Sequence, residues 1–117
     1  MTNINRLTLE MNNKEYFENT QEVYETILDE HGLDPQDEYE VANDRVALQE
    51  SVYSILQMLS NNLDLFCKIE TEFITKSAAY AYLQKRLADI RAEIDRVKDE
   101  TGTADRITSY MFFNGIQ

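Results

Sequence analysis

The apolar positions follow helical spacing over most of the chain. Ile4, Leu7 and Met11 recur at intervals of three and four, which predicts a short amphipathic helix from Ile4 to Met11 ended by Asn12-Asn13. A second helix is expected to start near Asn19 or Thr20, with Asn19 as cap and Glu22 as its reciprocal acid, and to carry Val23, Tyr24, Ile27 and Leu28 inward. It should stop at about His31, because Gly32 can take the left-handed turn and Leu33 can fold back on the last turn. Asp34-Pro35 then reads as the start of a long helix, with Asp34 as cap, Pro35 at the first position, and Asp37 and Glu38 facing the positive dipole end.

From Tyr39 onward Ala42, Val46, Val52, Tyr53, Leu56, Leu59, Leu63 and Phe66 share one face, and Leu48, Ile55 and Met58 widen the stripe enough to meet neighbours on two sides. Asn61-Asn62 either ends this helix or kinks it. The stretch 67–76, CKIETEFITK, alternates loosely and predicts a connector with extended character, a loop with or without a brief strand. Thr75 or Ser77 can cap the next helix, whose seam is Leu83, Leu87, Ile90, Ile94 and Val97, with an expected stop at Thr101-Gly102. On its polar faces Asp89 is spaced to pair with Arg86, and Glu93 with basic neighbours around Lys85. The expected fold is all-α: a small helical bundle with one long central helix, a short N-terminal helix and an apolar C-terminal tail. The bundle should span 1–102 and the tail 103–117.

That tail is unusual, because Ile107, Tyr110, Met111, Phe112 and Phe113 put a dense apolar cluster where chains are commonly polar. It either folds back on its own helices or docks on a partner or a second copy. Tyr80 and Tyr82 lie about 200 degrees apart around a helix, so at least one of them should face outward as a contact residue.

Composition narrows the function. The chain has 117 residues, 43% hydrophobic and 28% charged, which suits one globular domain. Its net charge is -11, which opposes binding to phosphate backbones through a broad basic surface. The charge is uneven: residues 1–40 hold eleven acids against Arg6 and Lys14, while residues 76–117 hold seven bases against six acids. Such polarity can orient copies head to tail or present an acidic face to a basic partner, and it also serves simply as a solvated surface. No stretch suggests a membrane span or secretion signal, so a cytoplasmic site of synthesis is expected.

Candidate chemistry is sparse. His31 is the single histidine, expected to sit exposed at a helix C-terminus, and Cys67 the single cysteine, expected to be a packed thiol. Neither a histidine metal site nor a catalytic triad can be built from this inventory. Asp29-Glu30 and Asp37-Glu38 sit in polar contexts, and no glycine-rich phosphate loop, Gly-x-Ser-x-Gly elbow, calcium loop or Cys-x-x-Cys is present. A binding protein without catalysis, cofactor or metal is the expectation.

The order RLTLEM, KEYF, YETILDEHGLDPQDEY, a long apolar helix, TEFITKSAAYAYLQKRL and a short aromatic tail resembles the small helical head-to-tail connector (adaptor) and neighbouring structural proteins of tailed phages. The resemblance implies a helical protomer that assembles as a ring between portal and tail, with terminal or loop segments gripping portal-type and tail-side proteins, and a place in the virion. An acidic nucleic-acid mimic that inhibits a DNA-binding enzyme is the alternative that the charge of residues 1–40 supports.

Overall fold

A computed structural model describes the backbone of residues 1–115 and the side chains of residues 1–100. It is all-helical: α1 (Asn3–Glu10), α2 (Thr20–Glu30), α3 (Val41–Ser60), α4 (Leu63–Ile69) and α5 (Lys76–Gly115). The predicted apolar tail residues Ile107, Tyr110, Met111, Phe112 and Phe113 lie outside the residues whose side chains are described.

The first helix shows how a short element is held. All four of its leading N–H groups are satisfied: Asn3 donates to the Asp37 carbonyl at 2.8 Å, Ile4 to the Pro35 carbonyl at 2.9 Å, Asn5 to Thr2 Oγ1 at 3.3 Å and Arg6 to the Thr2 carbonyl at 2.9 Å. Asn12 and Asn13 then take left-handed conformations, φ 58 and 57, and break the helix where expected, since asparagine tolerates that region. The second helix closes as its sequence predicts. Gly32 has φ 80 and donates to the Asp29 carbonyl at 3.0 Å, while Leu33 donates to the Leu28 carbonyl at 2.9 Å and buries its side chain. At the other end Asn19 is the cap residue but makes no side-chain cap bond; Thr20 Oγ1 instead accepts from the Phe17 N–H at 3.1 Å and donates to the Phe17 carbonyl at 2.7 Å.

Asp34-Pro35 does not start the long helix, contrary to its local signal. A helix there would need the Pro35 carbonyl to accept from Tyr39, but Ile4 occupies that carbonyl and the Tyr39 N–H donates to the Met1 carbonyl at 2.9 Å. Asp34 makes a local turn, accepting from the Gln36 N–H at 2.9 Å, and Asn3 Nδ2 donates to its carbonyl at 2.8 Å. Segment 34–39 is thereby the cap of α1, joined to it by the isolated bridge Thr2 to Glu38, and α3 begins only at Val41.

Asn61 ends α3 outright, and Asn62 caps a separate helix by accepting from the Leu65 N–H at 3.3 Å. Because α4 claims Cys67 to Ile69, the predicted connector shrinks to residues 70–75, and no strand occurs among the described residues. Thr75, of the two candidates, caps α5, its Oγ1 accepting from the Ala78 N–H at 3.1 Å. The fifth helix passes through Thr101-Gly102, where a stop was expected, and continues to Gly115. One glycine costs a helix interior about 1 kcal/mol relative to alanine, and Thr103 supplies no apolar residue to fold back as Leu33 does after Gly32.

α3 lies at the centre, touching each of the other four helices. It runs antiparallel to α5: Gln84 Nε2 donates to Ser60 Oγ at 2.7 Å, and farther along Arg91 stacks over the Tyr53 ring at 4.5 Å. The core between them is Leu48, Val52, Ile55, Leu56 and Leu59 from α3 with Ala79, Leu83 and Leu87 from α5, closed by α1 and α2 through Leu7, Met11, Tyr24 and Leu28. Of the predicted α5 seam, Leu83, Leu87, Ile94 and Val97 are buried and Ile90 is half-buried. On α3, Ala42 and Met58 face out. The molecule is a thin slab, 56 × 34 × 17 Å.

Candidate protein interface

An aromatic chain leads from the core to the surface near the start of α5. Buried Tyr16 stacks on buried Phe66 with centroids 5.8 Å apart, Phe66 meets Phe73 at 5.7 Å and Tyr82 at 6.1 Å, and Phe73 meets Tyr82 at 5.1 Å. Tyr82 is 41% exposed, Phe73 is half-buried and the adjacent Ile74 is 97% exposed. Helix α4 fixes Phe66, the 70–75 loop brings Phe73 and Ile74 alongside, and the first turns of α5 present Tyr82. The inner end is anchored by Tyr16, whose hydroxyl donates to Glu70 Oε1 at 2.8 Å, with Lys14 Nζ 3.9 Å from the same carboxylate oxygen. Burial first and the Glu70 carboxylate second push the Tyr16 phenol well above its ordinary pKa, so it stays a neutral donor.

Tyr80 and Tyr82 are both exposed, and they serve different surfaces. Tyr82 joins the aromatic chain; Tyr80 lines a shallow depression of about 340 Å³ with Tyr53, Gln57, Asn61, Gln84 and Arg91. Sequence periodicity separated their directions but gave no signal for Phe73 and Ile74, which come from the stretch expected to be an extended connector. Beside them Lys76 pairs with Asp64, whose carboxylate raises the lysine pKa.

The acidic surface is equally well defined. Of the eleven acids in residues 1–40, Glu15, Glu18, Glu22, Asp29, Glu30, Asp34, Asp37, Glu38 and Glu40 are exposed, and only Glu10 and Glu25 are half-buried. Arg6 pairs with the half-buried Glu10 at 2.7 Å, Lys14 lies beside Glu70 and the N-terminal ammonium takes Glu38 at 2.9 Å, so the other eight exposed acids have no ion-pair partner among the described residues. On α5 the ion pairs differ from those expected: Asp89 takes Lys85 at 2.9 Å, and Glu93 takes Arg96 at 2.6 Å and Arg45 of α3. Hydrogen bonds from Arg96 foremost hold the Glu93 carboxyl below its ordinary pKa.

His31 is half-buried, not exposed: Nδ1 lies 2.9 Å from the Ile27 carbonyl and Nε2 3.4 Å from Ser54 Oγ. α3 passes close enough to cover it. Cys67 is half-buried against the core, as a packed thiol should be. Among the described residues no group of three or more His, Cys, Asp or Glu side chains is placed to hold a metal ion, and no helix is long and apolar enough to cross a membrane.

Comparison of the chain with protein-family models, curated proteins and solved structures gives no match.

Proposed function

We propose that this protein is a non-enzymatic assembly protein of a phage or prophage particle, resembling a head-to-tail connector that self-associates as a ring and binds portal-type and tail-side proteins. The observation that carries the reading is the aromatic chain from Phe66 to Tyr82, which opens on the surface beside a fully exposed Ile74. A large apolar side chain held out in water next to a rigid aromatic base is the arrangement of an interface anchor. The thin slab shape and the acid-rich first forty residues suit packing of copies side by side with one charged edge. In this reading the tail residues 107–113 add a second contact, and the protein is made in the host cytoplasm and incorporated in the virion.

The test is assembly. Sedimentation of the purified chain, alone and mixed with a portal-type protein, should give a larger species that Ile74→Ser with Tyr82→Ser abolishes while circular dichroism is unchanged. A chain that remains monomeric at every concentration and with every such partner sinks the proposal.

A second reading is favoured by the nine exposed acids of residues 1–40: a nucleic-acid mimic that blocks a basic DNA-binding enzyme. It requires a salt-sensitive complex with such an enzyme, displaced by duplex DNA; no competition with DNA rejects it.

A further inference from the structure

In a chain of net charge -11, three of six arginines converge on one cleft. Arg6 comes from α1, Arg45 from α3 and Arg86 from α5, and the cleft of about 390 Å³ that they line also holds Tyr39, Gln49 and Glu10 among its walls. Glu10 is its one carboxylate, and Arg6 occupies it at 2.7 Å. Arg45 reaches Glu93, which lies outside the lining. Arg86 makes only a hydrogen bond to the Glu10 backbone carbonyl, 3.0 Å from its Nη2, and no carboxylate among the described residues is within ion-pair distance of it. The walls therefore carry two more positive than negative charges, with one guanidinium uncompensated.

The polar groups of this cleft are also incompletely used. Gln49 Oε1 and Arg6 Nε are shielded from solvent and have no hydrogen-bond partner among the described residues. The Tyr39 hydroxyl has none among the described residues, while its ring lies under the Arg6 guanidinium at 5.3 Å. Burial foremost raises the Tyr39 pKa, so the hydroxyl is a donor near neutrality. Between these groups Leu48, Val52 and Ile90 give an apolar floor. Convergent guanidinium and phenol donors over an apolar floor, in a volume suited to a small molecule, match an organic anion: a carboxylate group for Arg86 and Tyr39, and a hydrocarbon or ring portion for the floor.

We infer that the cleft between α1, α3 and α5 binds a small organic carboxylate, with Arg86 and Tyr39 taking the carboxylate and Leu48, Val52 and Ile90 the apolar part. The site is independent of the aromatic surface near Tyr82 and stands whether or not the chain assembles. It is tested by NMR titration of the full chain with benzoate, benzamide and inorganic phosphate, following the arginine Nε–H and backbone signals. Benzoate should shift the signals of Arg86, Tyr39 and Gln49 with a dissociation constant on the order of a millimolar, and benzamide and phosphate should bind at least about tenfold more weakly. Arg86→Gln should weaken benzoate about tenfold. Because that change also removes the bond to the Glu10 carbonyl, Tyr39→Phe serves as the second variant: it keeps the ring under Arg6 and should weaken benzoate about threefold with melting unchanged. Benzamide or phosphate binding as tightly as benzoate, shifts confined to other parts of the molecule, or full benzoate affinity in Tyr39→Phe and Arg86→Gln together would overturn the inference.

Discussion

The two ends of the central helix are tied down by opposite means. Where α3 begins, segment 34–39 lies against α1 and trades backbone hydrogen bonds with it, so distant residues fix the chain by its peptide groups. Beyond its far end, α4 and the 70–75 loop are fixed by side chains: Phe66 seats in the core, and Phe73 and Tyr82 lean on it. The first region leaves its polar side chains facing water and reads as a charged surface. The second leaves apolar side chains over, because a single buried ring can hold a short loop in place without covering everything that loop carries. Exposed apolar side chains, in this molecule, collect where packing anchors are few.

Removing the anchor of the second region should have the largest effect. Phe66→Ala takes out a ring that is 1% exposed and is shared by Tyr16, Phe73 and Tyr82, and should cost about 3 to 5 kcal/mol in urea unfolding. If the two ends are held as described, hydrogen exchange should accelerate in α4 and the 70–75 loop well before it does in residues 1–39. Uniform acceleration throughout would mean that the two regions do not differ in their support.

Alkaline pH probes the buried phenols that support both sides of the comparison. Burial is the largest cause that raises the Tyr16 and Tyr24 phenols above their ordinary value of 10.0, and the Tyr24 hydroxyl donates to the Lys14 carbonyl at 3.2 Å. Folded, both remain protonated at a pH where the unfolded chain ionises them, so the unfolded state binds fewer protons and stability falls as pH rises above 10. Below that pH the contribution is complete. Each phenol adds a slope of about 1.4 kcal/mol per pH unit above it. Chemical denaturation between neutral pH and pH 11 should show this loss, to which Tyr39, also raised by burial, adds, and Tyr24→Phe should remove a clear part of the slope; an unchanged slope in that variant would assign the alkaline loss to other groups.

Much of the fold was legible in the sequence where a signal had no competitor for the same peptide groups. Asn12-Asn13 broke α1, Gly32-Leu33 closed α2, and the Leu83, Leu87, Ile94 and Val97 seam faced the core. Asp34-Pro35 carried equally good local chemistry and failed, because Ile4 and Met1 took the partners that a helix there would have used. Gly102 failed as a stop for lack of an apolar successor. The candidate surface was half legible: pitch alone required that at least one of Tyr80 and Tyr82 face outward, and both do, whereas Phe73 and Ile74 depend on where α4 ends. The arginine cleft left no trace in the pattern, since Arg6, Arg45 and Arg86 lie on three helices about forty residues apart.

The glycine contrast can be sharpened by one substitution. Gly32 sits at φ 80 with open space around the position that a Cβ would fill, so Gly32→Ala meets backbone strain and no steric block. It should lower stability by about 1 kcal/mol, the cost of placing an L-residue in the left-handed region. Gly102→Ala should act in the other direction, by a similar or smaller amount, since alanine favours the helix that continues across it. Thermal melting of the two variants decides this, and a destabilised Gly102→Ala would indicate that the helix does stop there.

The smallest effect on stability should come from the most exposed residue. Ile74 is 97% exposed, so Ile74→Ser removes almost no buried area and should leave melting within about 0.5 kcal/mol of the parent. Association should respond quite differently, because an exposed apolar side chain next to the Phe73 and Tyr82 rings gains its burial only when another surface covers it. The pair of measurements separates the roles: Phe66→Ala reads the anchor through folding, and Ile74→Ser reads the outer end of the same aromatic chain through sedimentation. A loss of stability on Ile74→Ser would place that side chain in the fold's own support, and an unchanged sedimentation profile, in a parent that assembles, would move the contact surface away from the 70–75 loop.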